Sequence, residues 1–380
     1  MVKPLSKNSK CSCGSGKKYR KCCGKGHVSA PDYEKVIKIF QKKEKEKQLF
    51  EEKYGHARPP ISVKMDGKVL SVVGGSIYMQ TREGPYTFLH LLHDHALLFF
   101  GTEYLEQEEI KPLELRHPAI QWMQAYVDHS QETSFLSDRI ASGSQIGASA
   151  AWGRFAYDLF TIRDNVKLES RLKKRLLTIK DFQSARHELW VAALCVAAGF
   201  DIEFEDEVDN SNKHPEFIAI DRKLSIRIAV EAKSRHRRGI KGFSGGSAIK
   251  LGERVDIRGI VLDAYKKCGD IPLYVFIDVN LPQVSRDDFS RWLGEIDSTM
   301  NDLATEGYAD PCPANIVFFH NDPSHFLRDS PIGNESDDLW IKYYEAKNPK
   351  NDHPNGDICG RLLKAHQQRV SPPADFPTFD

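Results

Sequence analysis

Four of the eight cysteines fall between residues 11 and 23, in the run Cys-Ser-Cys-Gly-Ser-Gly-Lys-Lys-Tyr-Arg-Lys-Cys-Cys. A segment this short cannot build a hydrophobic core, so its folding energy must come from elsewhere. Thiolates bind zinc tightly, and a structural zinc ion takes four closed ligands in a tetrahedron. Cys11, Cys13, Cys22 and Cys23 offer two pairs that meet across one turn, with Gly14 and Gly16 permitting a sharp backbone path. The neighbouring lysines offset the negative charge that four thiolates leave on one dication. The competing reading is free or disulfide-bonded cysteine. Adjacent Cys22 and Cys23, and Cys11 two residues from Cys13, make a disulfide framework awkward. Zinc is the expectation.

The whole chain is long enough, at 380 residues, for two or three domains. A hydrophobic content of 40% supports a sizeable core. The net charge of +1 excludes a general polyanion binder, but the charge is uneven: Lys3, Lys7, Lys10, Lys17, Lys18, Arg20, Lys21 and Lys25 face no acid within residues 1–30. No apolar run reaches the roughly 18 residues of a membrane helix. Met1 to Lys10 lacks the apolar core of a signal peptide. Cys195, Cys268, Cys312 and Cys359 are scattered rather than paired in a secreted framework. The expectation is a cytoplasmic protein with reduced thiols and no membrane partner.

Five segments follow from composition and periodicity. Residues 1–28 form the knuckle, and residues 29–56, rich in Lys, Glu and Gln, a charged helical linker starting near Pro31 and Asp32. Residues 57–180 begin with a hairpin, Ile61 to Met65 and Val69 to Val73 around Asp66-Gly67, and continue mostly helical. Their role is not written in any motif. His90, His93, Asp94 and His95 match no zinc-ligand spacing and read as helix surface or core. Residues 181–347 change pattern: a helix from Phe182 to Ala198 ahead of Gly199, then strands over Asp201–Phe204, Glu216–Ile220 and Ser225–Lys233. A helix near Val255–Lys267 and a strand over Leu273–Val279 follow, with further strands at Asn315–Phe319 and Leu339–Tyr344. Residues 348–380 read as a partly disordered tail.

The strand pattern brings acids together. Along Ser225–Lys233, Ile226, Ile228, Val230 and Ala232 share one face, and Glu231 and Lys233 share the other. Pro215-Glu216 opens the preceding strand, so paired neighbours would let Glu216 and Glu231 meet. Glu188 borders the apolar stripe of Ala185, Leu189, Ala192 and Val196 and should point toward the sheet. Carboxylates converging beside a lysine are costly without a cation, and oxygen ligands suit magnesium or manganese. Glu345-Ala346-Lys347 repeats the tripeptide Glu231-Ala232-Lys233 without an upstream acid strand, so the ordered set carries the signal and the tripeptide alone does not.

Two family resemblances attach to these motifs. Residues 9–25 resemble the SEC-C motif, the zinc tail of the SecA translocase, in which the last ligand pair is Cys-His or Cys-Cys. That resemblance implies a docking module for a protein, a ribosome or nucleic acid, and no chemistry. Residues 180–282, with Glu188, Pro215-Glu216 and Glu231-Ala232-Lys233 in the order helix, three strands, helix, strand, resemble the PD-(D/E)xK nuclease superfamily. This implies an α/β (α+β) fold with a restriction-endonuclease-like αβββαβ core. It also implies hydrolysis of phosphodiesters, DNA ahead of RNA, with a restriction or phage-defence role by analogy. Glu216 and Glu231 would hold magnesium or manganese, Glu188 would support it, and Lys233 would orient the attacking water. Glu216 stands where the family usually has Asp.

Beyond Lys233 the chain becomes basic and glycine-rich. Arg235, Arg237, Arg238, Lys241, Lys250 and Arg254 suit contact with nucleic-acid phosphates, or form a solvated loop. Tyr265 and Lys266 on the following helix are expected to face the same cleft. The competing function is a noncatalytic adaptor that binds protein, ribosome or nucleic acid through the knuckle and this loop. Structural ion pairs or a degenerate fold are the lesser competing account of the acidic set. A zinc hydrolase or deaminase fits poorly: His187-Glu188 lacks the following metalloprotease histidine, and no Pro-Cys-x-x-Cys occurs.

Overall fold

The structure, a computed structural model, describes residues 8–11, 15–22, 33–56, 58, 60–65, 68–73, 76–79, 86–134, 146–163, 170–204, 214–237, 241, 254–282, 286–326, 340–354, 356–369 and 372. The chain divides into two compact units, Met1–Phe50 and Glu51–Asp380. In the first, the Cys11 amide donates to the Lys17 carbonyl and the Tyr19 amide to the Ser9 carbonyl, both at 2.8 Å. A single turn of 3-10 helix, Tyr19–Lys21, follows. Helix α1, Tyr33–Tyr54, runs on through the Lys- and Glu-rich stretch.

The second unit is mixed α/β. It begins with a three-stranded antiparallel sheet, β1 (Ile61–Met65), β2 (Lys68–Val73) and β3 (Ser76–Met79). The expected hairpin is therefore present, although its tip, Asp66-Gly67, lies outside the described residues. Helices α2 (Phe88–Phe100), α3 (Thr102–Glu109), α4 (Pro118–Ser134), α5 (Gly147–Ile162) and α6 (Ser170–Leu176) follow. The histidines of α2 are absorbed in packing: Trp152 donates to His93 at 3.2 Å, Tyr78 meets His95 at 2.9 Å, and the Thr87 amide donates to His90 at 3.1 Å.

Helix α7, Phe182–Ala197, opens the sheet domain. Its end is a paired-carbonyl cap in which the Gly199 amide reaches Val196 and the Phe200 amide reaches Cys195. That geometry holds Gly199 at φ +90, and a Cβ there would press on the rings of His56 and the guanidinium of Arg361. Strands β4 (Asp201–Phe204), β5 (Phe217–Asp221) and β6 (Ile226–Ser234) form an antiparallel meander. Helix α8 (Arg258–Tyr265) returns the chain to β7 (Leu273–Asp278), and α9 (Arg286–Leu303) to β8 (Ile316–Asn321). Both β7 and β8 run parallel to their predecessors, as a helical crossover requires. Strand β9 (Trp340–Glu345) closes the edge antiparallel, giving the order β4-β5-β6-β7-β8-β9.

Alternation divides this sheet between two cores. Ile228, Val230, Tyr274, Phe276, Ile316 and Phe318 face the helices that precede the sheet and α7. Ala229, Val275, Ile277, Val317 and Phe319 face α8 and α9. The first core also takes in α10, Ile358–Gln368, whose Ile358, Leu362 and Ala365 are buried. This helix sits within the segment whose composition reads as a tail. Residues 373–380 lie outside the described residues.

Candidate functional site

Strands β5 and β6 pair with Phe217 opposite Val230, and the Glu216 amide donates to the Val230 carbonyl at 3.0 Å. One further step of that register sets Glu216 across from Glu231. Glu231 points to the α8 side of the sheet and is fully buried. Lys233 Nζ lies 2.8 Å from Glu231 Oε1, close enough for an ion pair. Among the described residues, no donor besides Lys233 reaches either carboxylate oxygen. Burial raises the Glu231 pKa to about 7. The Lys233 charge opposes this rise and the Glu216 charge adds to it. A buried carboxylate short of donors is expensive to keep ionised.

Helix α8 braces both halves of this site. Asp263 Oδ2 lies 3.2 Å from Lys233 Nζ, and Asp263 Oδ1 lies 3.3 Å from Lys266 Nζ. Four residues on, Lys267 Nζ donates at 2.7 Å to the carbonyl of His214, just ahead of Pro215-Glu216. Burial works to lower the Lys233 pKa, but the charges of Glu231 and Asp263 outweigh it and hold the ammonium protonated. Sequence reading missed Asp263 and Lys267. Their signal was the i, i+4 spacing on the helix that follows Lys233. Of the two residues expected near the cleft, Lys266 pairs with Asp263, whereas Tyr265 is buried against Cys312.

Glu188 does not join them. It lies on α7, which packs on the opposite face of the sheet, and its carboxylate takes a 2.5 Å hydrogen bond from Arg175 of α6. Parity along β6 sends Glu231 away from α7, so the expected three-carboxylate convergence reduces to Glu216 and Glu231.

The basic segment also divides. Arg237 is buried, donating to the Asn280 carbonyl at 3.1 Å, while its own amide donates to Gln183. Asn280, held at φ +51, donates from its side-chain amide to Gln183 and to the Arg235 carbonyl, both at 3.0 Å. Lys241 is buried 3.5 Å from Asp278 Oδ2. These partners stand 37 or more residues away in sequence, so Arg237 and Lys241 turn inward rather than toward solvent. Arg254 is exposed, and its carbonyl accepts from Arg235 at 3.0 Å. Arg238 and Lys250 lie outside the described residues.

Asp278 belongs to a second polar cluster, on the α7 side, around a cavity of about 30 Å3 lined by His187, Trp190, Lys241, His320, Asp322 and His325 among others. It sits at the carboxyl ends of β7 and β8. Arg154 pairs with Asp322 at 2.6 Å. His320 stacks on Trp190 at 3.7 Å, and among the described residues neither of its ring nitrogens has a hydrogen-bond partner. Burial pulls the His320 pKa well below its ordinary value and that of His187 down to about 4. Among the described residues, no three His, Cys, Asp or Glu side chains converge as a metal-binding group. Magnesium needs fewer, since one or two carboxylates with water and phosphate oxygens suffice. Glu216 and Glu231 fit that demand, because among the described residues the buried oxygens of Glu231 have no donor besides Lys233.

In the knuckle, Cys11 is buried, and the Cys22 thiol lies 3.0 Å from the Ser15 hydroxyl. Cys13 and Cys23 lie outside the described residues. Among the described residues no helix is long and apolar enough to cross a membrane. No family model, curated protein or solved structure matches the chain.

Proposed function

We propose that this protein is a metal-dependent nuclease with its active site at Glu216, Glu231 and Lys233, and that its N-terminal knuckle is a zinc module for docking a protein partner. The observation that carries the reading is Glu231: a carboxylate with no exposure and, among the described residues, no donor besides Lys233, set beside Glu216. The element order α7-β4-β5-β6-α8-β7, an antiparallel meander followed by a helical crossover to a parallel strand, supports it as the order of the αβββαβ core that the motifs resemble.

Glu216 and Glu231 would hold magnesium or manganese, which when bound supplies charge stabilisation at the phosphate and acidifies water. Lys233, kept protonated between Glu231 and Asp263, orients the attacking water and offsets phosphate charge. Glu188 is left a structural role with Arg175. Nucleic acid is the substrate class, with DNA placed ahead of RNA by the resemblance alone. A cytoplasmic setting and a restriction or defence role are carried by the same analogy.

The test is cleavage of single- and double-stranded DNA and RNA with magnesium or manganese, alongside Glu231→Ala and Lys233→Ala. Metal-dependent cleavage lost in both variants is expected. Cleavage unchanged in both would remove the site from consideration. No cleavage of any substrate would leave the noncatalytic adaptor as the better reading.

A further inference from the structure

The cavity at the carboxyl ends of β7 and β8 is lined by donors that are short of acceptors. His320 is 4% exposed, and among the described residues neither of its ring nitrogens has a partner. Lys241 is held at φ +45, a left-handed backbone that costs a residue with a Cβ about 1 kcal/mol. Its side chain is 7% exposed, and its ammonium, with three N–H donors, meets Asp278 Oδ2 at the long distance of 3.5 Å. Arg186 donates to Asp158, which it shares with Arg369. Two guanidinium groups on one carboxylate leave a positive charge over at the cavity wall.

The two acids on the wall are unequal. Asp278 accepts from the Ser234 hydroxyl on one oxygen and from the Asn280 amide on the other. Asp322 Oδ1 accepts from Arg154 and from the Ser324 amide, whereas Asp322 Oδ2 takes no hydrogen bond among the described residues. The wall therefore offers several donors and one spare acceptor. A volume of about 30 Å3 holds roughly two or three water-sized groups, enough for a small ion and too little for a nucleotide. Sheets with parallel strands collect their ligands at this end of the strands.

We propose that this cavity binds one phosphate group that still carries a proton, with Lys241, Arg186 and His320 as donors and Asp322 as acceptor. The ionised oxygens accept from the ammonium, the guanidinium and the imidazole N–H, bonds to charged groups being the strong ones. The phosphate O–H donates to Asp322 Oδ2. Sulfate has the same shape but no proton at neutral pH, so it meets that carboxylate with an oxygen and is refused. Water fills such a space as well, but it does not balance the charge left on Arg186. The cavity lies on the α7 side of the sheet and Glu231 on the α8 side, so the inference does not depend on the nuclease reading.

Isothermal titration calorimetry of the full chain with inorganic phosphate, at neutral pH and in chelator, tests it. Saturable binding with a Kd of about 1 mM or tighter is expected, and sulfate at equal ionic strength should bind at least about 10-fold more weakly. His320→Phe keeps a ring on Trp190 and deletes both nitrogens. It should weaken phosphate binding at least about 10-fold while its far-UV circular dichroism matches that of the wild type. Lys241→Met gives the same readout should His320→Phe misfold. Glu231→Gln should bind phosphate as the wild type does. A 5′-phosphorylated oligonucleotide that displaces phosphate, where its unphosphorylated counterpart does not, assigns the group to a strand end; phosphate undisturbed by both assigns it to the free ion. No saturable binding, binding undiminished in the folded variants, sulfate bound as tightly as phosphate, or binding lost in Glu231→Gln overturns the proposal.

Discussion

Lys233 on β6 and Asp263 on α8 stand 3.2 Å apart, so the ammonium that touches Glu231 is also held from the far side of the site. In the proposed active site Asp263 acts through Lys233, as a positioning residue. Asp263→Asn is expected to lower the turnover of metal-dependent cleavage by roughly 10- to 100-fold with little change in KM, the usual effect of losing an outer-shell partner. Asp263→Glu should recover part of the loss. Equal turnover in Asp263→Asn and wild type would contradict the assignment.

Glu231→Gln should make the metal-free protein more stable while abolishing cleavage. A carboxyl whose native pKa, about 7, exceeds its ordinary 4.5 favours the folded state at low pH and loses that advantage as pH rises through 7. Glutamine removes the ionisation. In buffer with chelator, urea unfolding at pH 8 should show a gain of about 3 kcal/mol, shrinking as pH falls toward 4.5. A variant less stable than wild type at pH 8 would show that the carboxylate is satisfied by partners after all.

The buried histidines work in the other direction. Burial lowers His187 and His366 to about 4 from an ordinary 6.5. Asp278, Lys241 and Arg186 face the first, and Arg154, Asp322 and Arg369 the second. Between pH 6.5 and 4 the unfolded chain therefore binds protons that the folded chain refuses, and stability falls as pH falls. Glu231 opposes this in part of the same window, so the Glu231→Gln background isolates it. There, with His117, His320 and His325 also held neutral by burial, unfolding free energy should drop by at least about 2 kcal/mol per unit between pH 6 and 5. A urea midpoint flat across that interval would refute the burial of these rings.

Asp158 on α5 is the counter-charge for two arginines, Arg186 at 2.6 Å and Arg369, and all three are buried. Asp158→Asn leaves two guanidinium groups beside each other without an anion. A loss of about 3–5 kcal/mol is expected from breaking a buried pair at one partner. Chemical denaturation at pH 7 measures it, and a loss under about 1 kcal/mol would be incompatible with this network.

For the knuckle, elemental analysis should find about one zinc per chain, since a segment without a core folds on its metal. Cys11→Ser with Cys22→Ser should lose it while leaving the unfolding of the larger unit unchanged. Retention of zinc in that variant would place the metal elsewhere.

Local periodicity carried most of the fold. The limits of α7, β5, β6 and β7 fall within about two residues of where alternation and Gly199 set them, because each is decided by neighbours in sequence. Glu231 and Lys233 shared a legible face for the same reason. Which face of the sheet α7 would cover was not legible. A helix stripe places Glu188 toward a sheet without saying toward which side, and the two carboxylates ended on the other one. Arg237 and Lys241 read as solvent-facing because Gln183, Asp278 and Asn280, which draw them inward, stand far off in the chain. Helix α10 was hidden by averaging, as Pro, Asn and Asp ahead of residue 358 mask the Ile358-Leu362-Ala365 stripe.

That last helix has a bearing on synthesis. Arg361 donates to the Ala198 carbonyl at the end of α7 and pairs with Asp221 at 2.6 Å at the end of β5, and Arg369 reaches back to Asp158 and Thr161 on α5. A nascent chain that has emerged only through β9 holds Asp221 without its guanidinium and Asp158 with one of its two. It also leaves the apolar floor under Ile358 and Leu362 uncovered. The larger unit therefore cannot close vectorially from its N-terminus. Its last stabilising step waits until residues 358–369 have left the ribosome, and truncation ahead of residue 358 should yield a chain that chaperones retain.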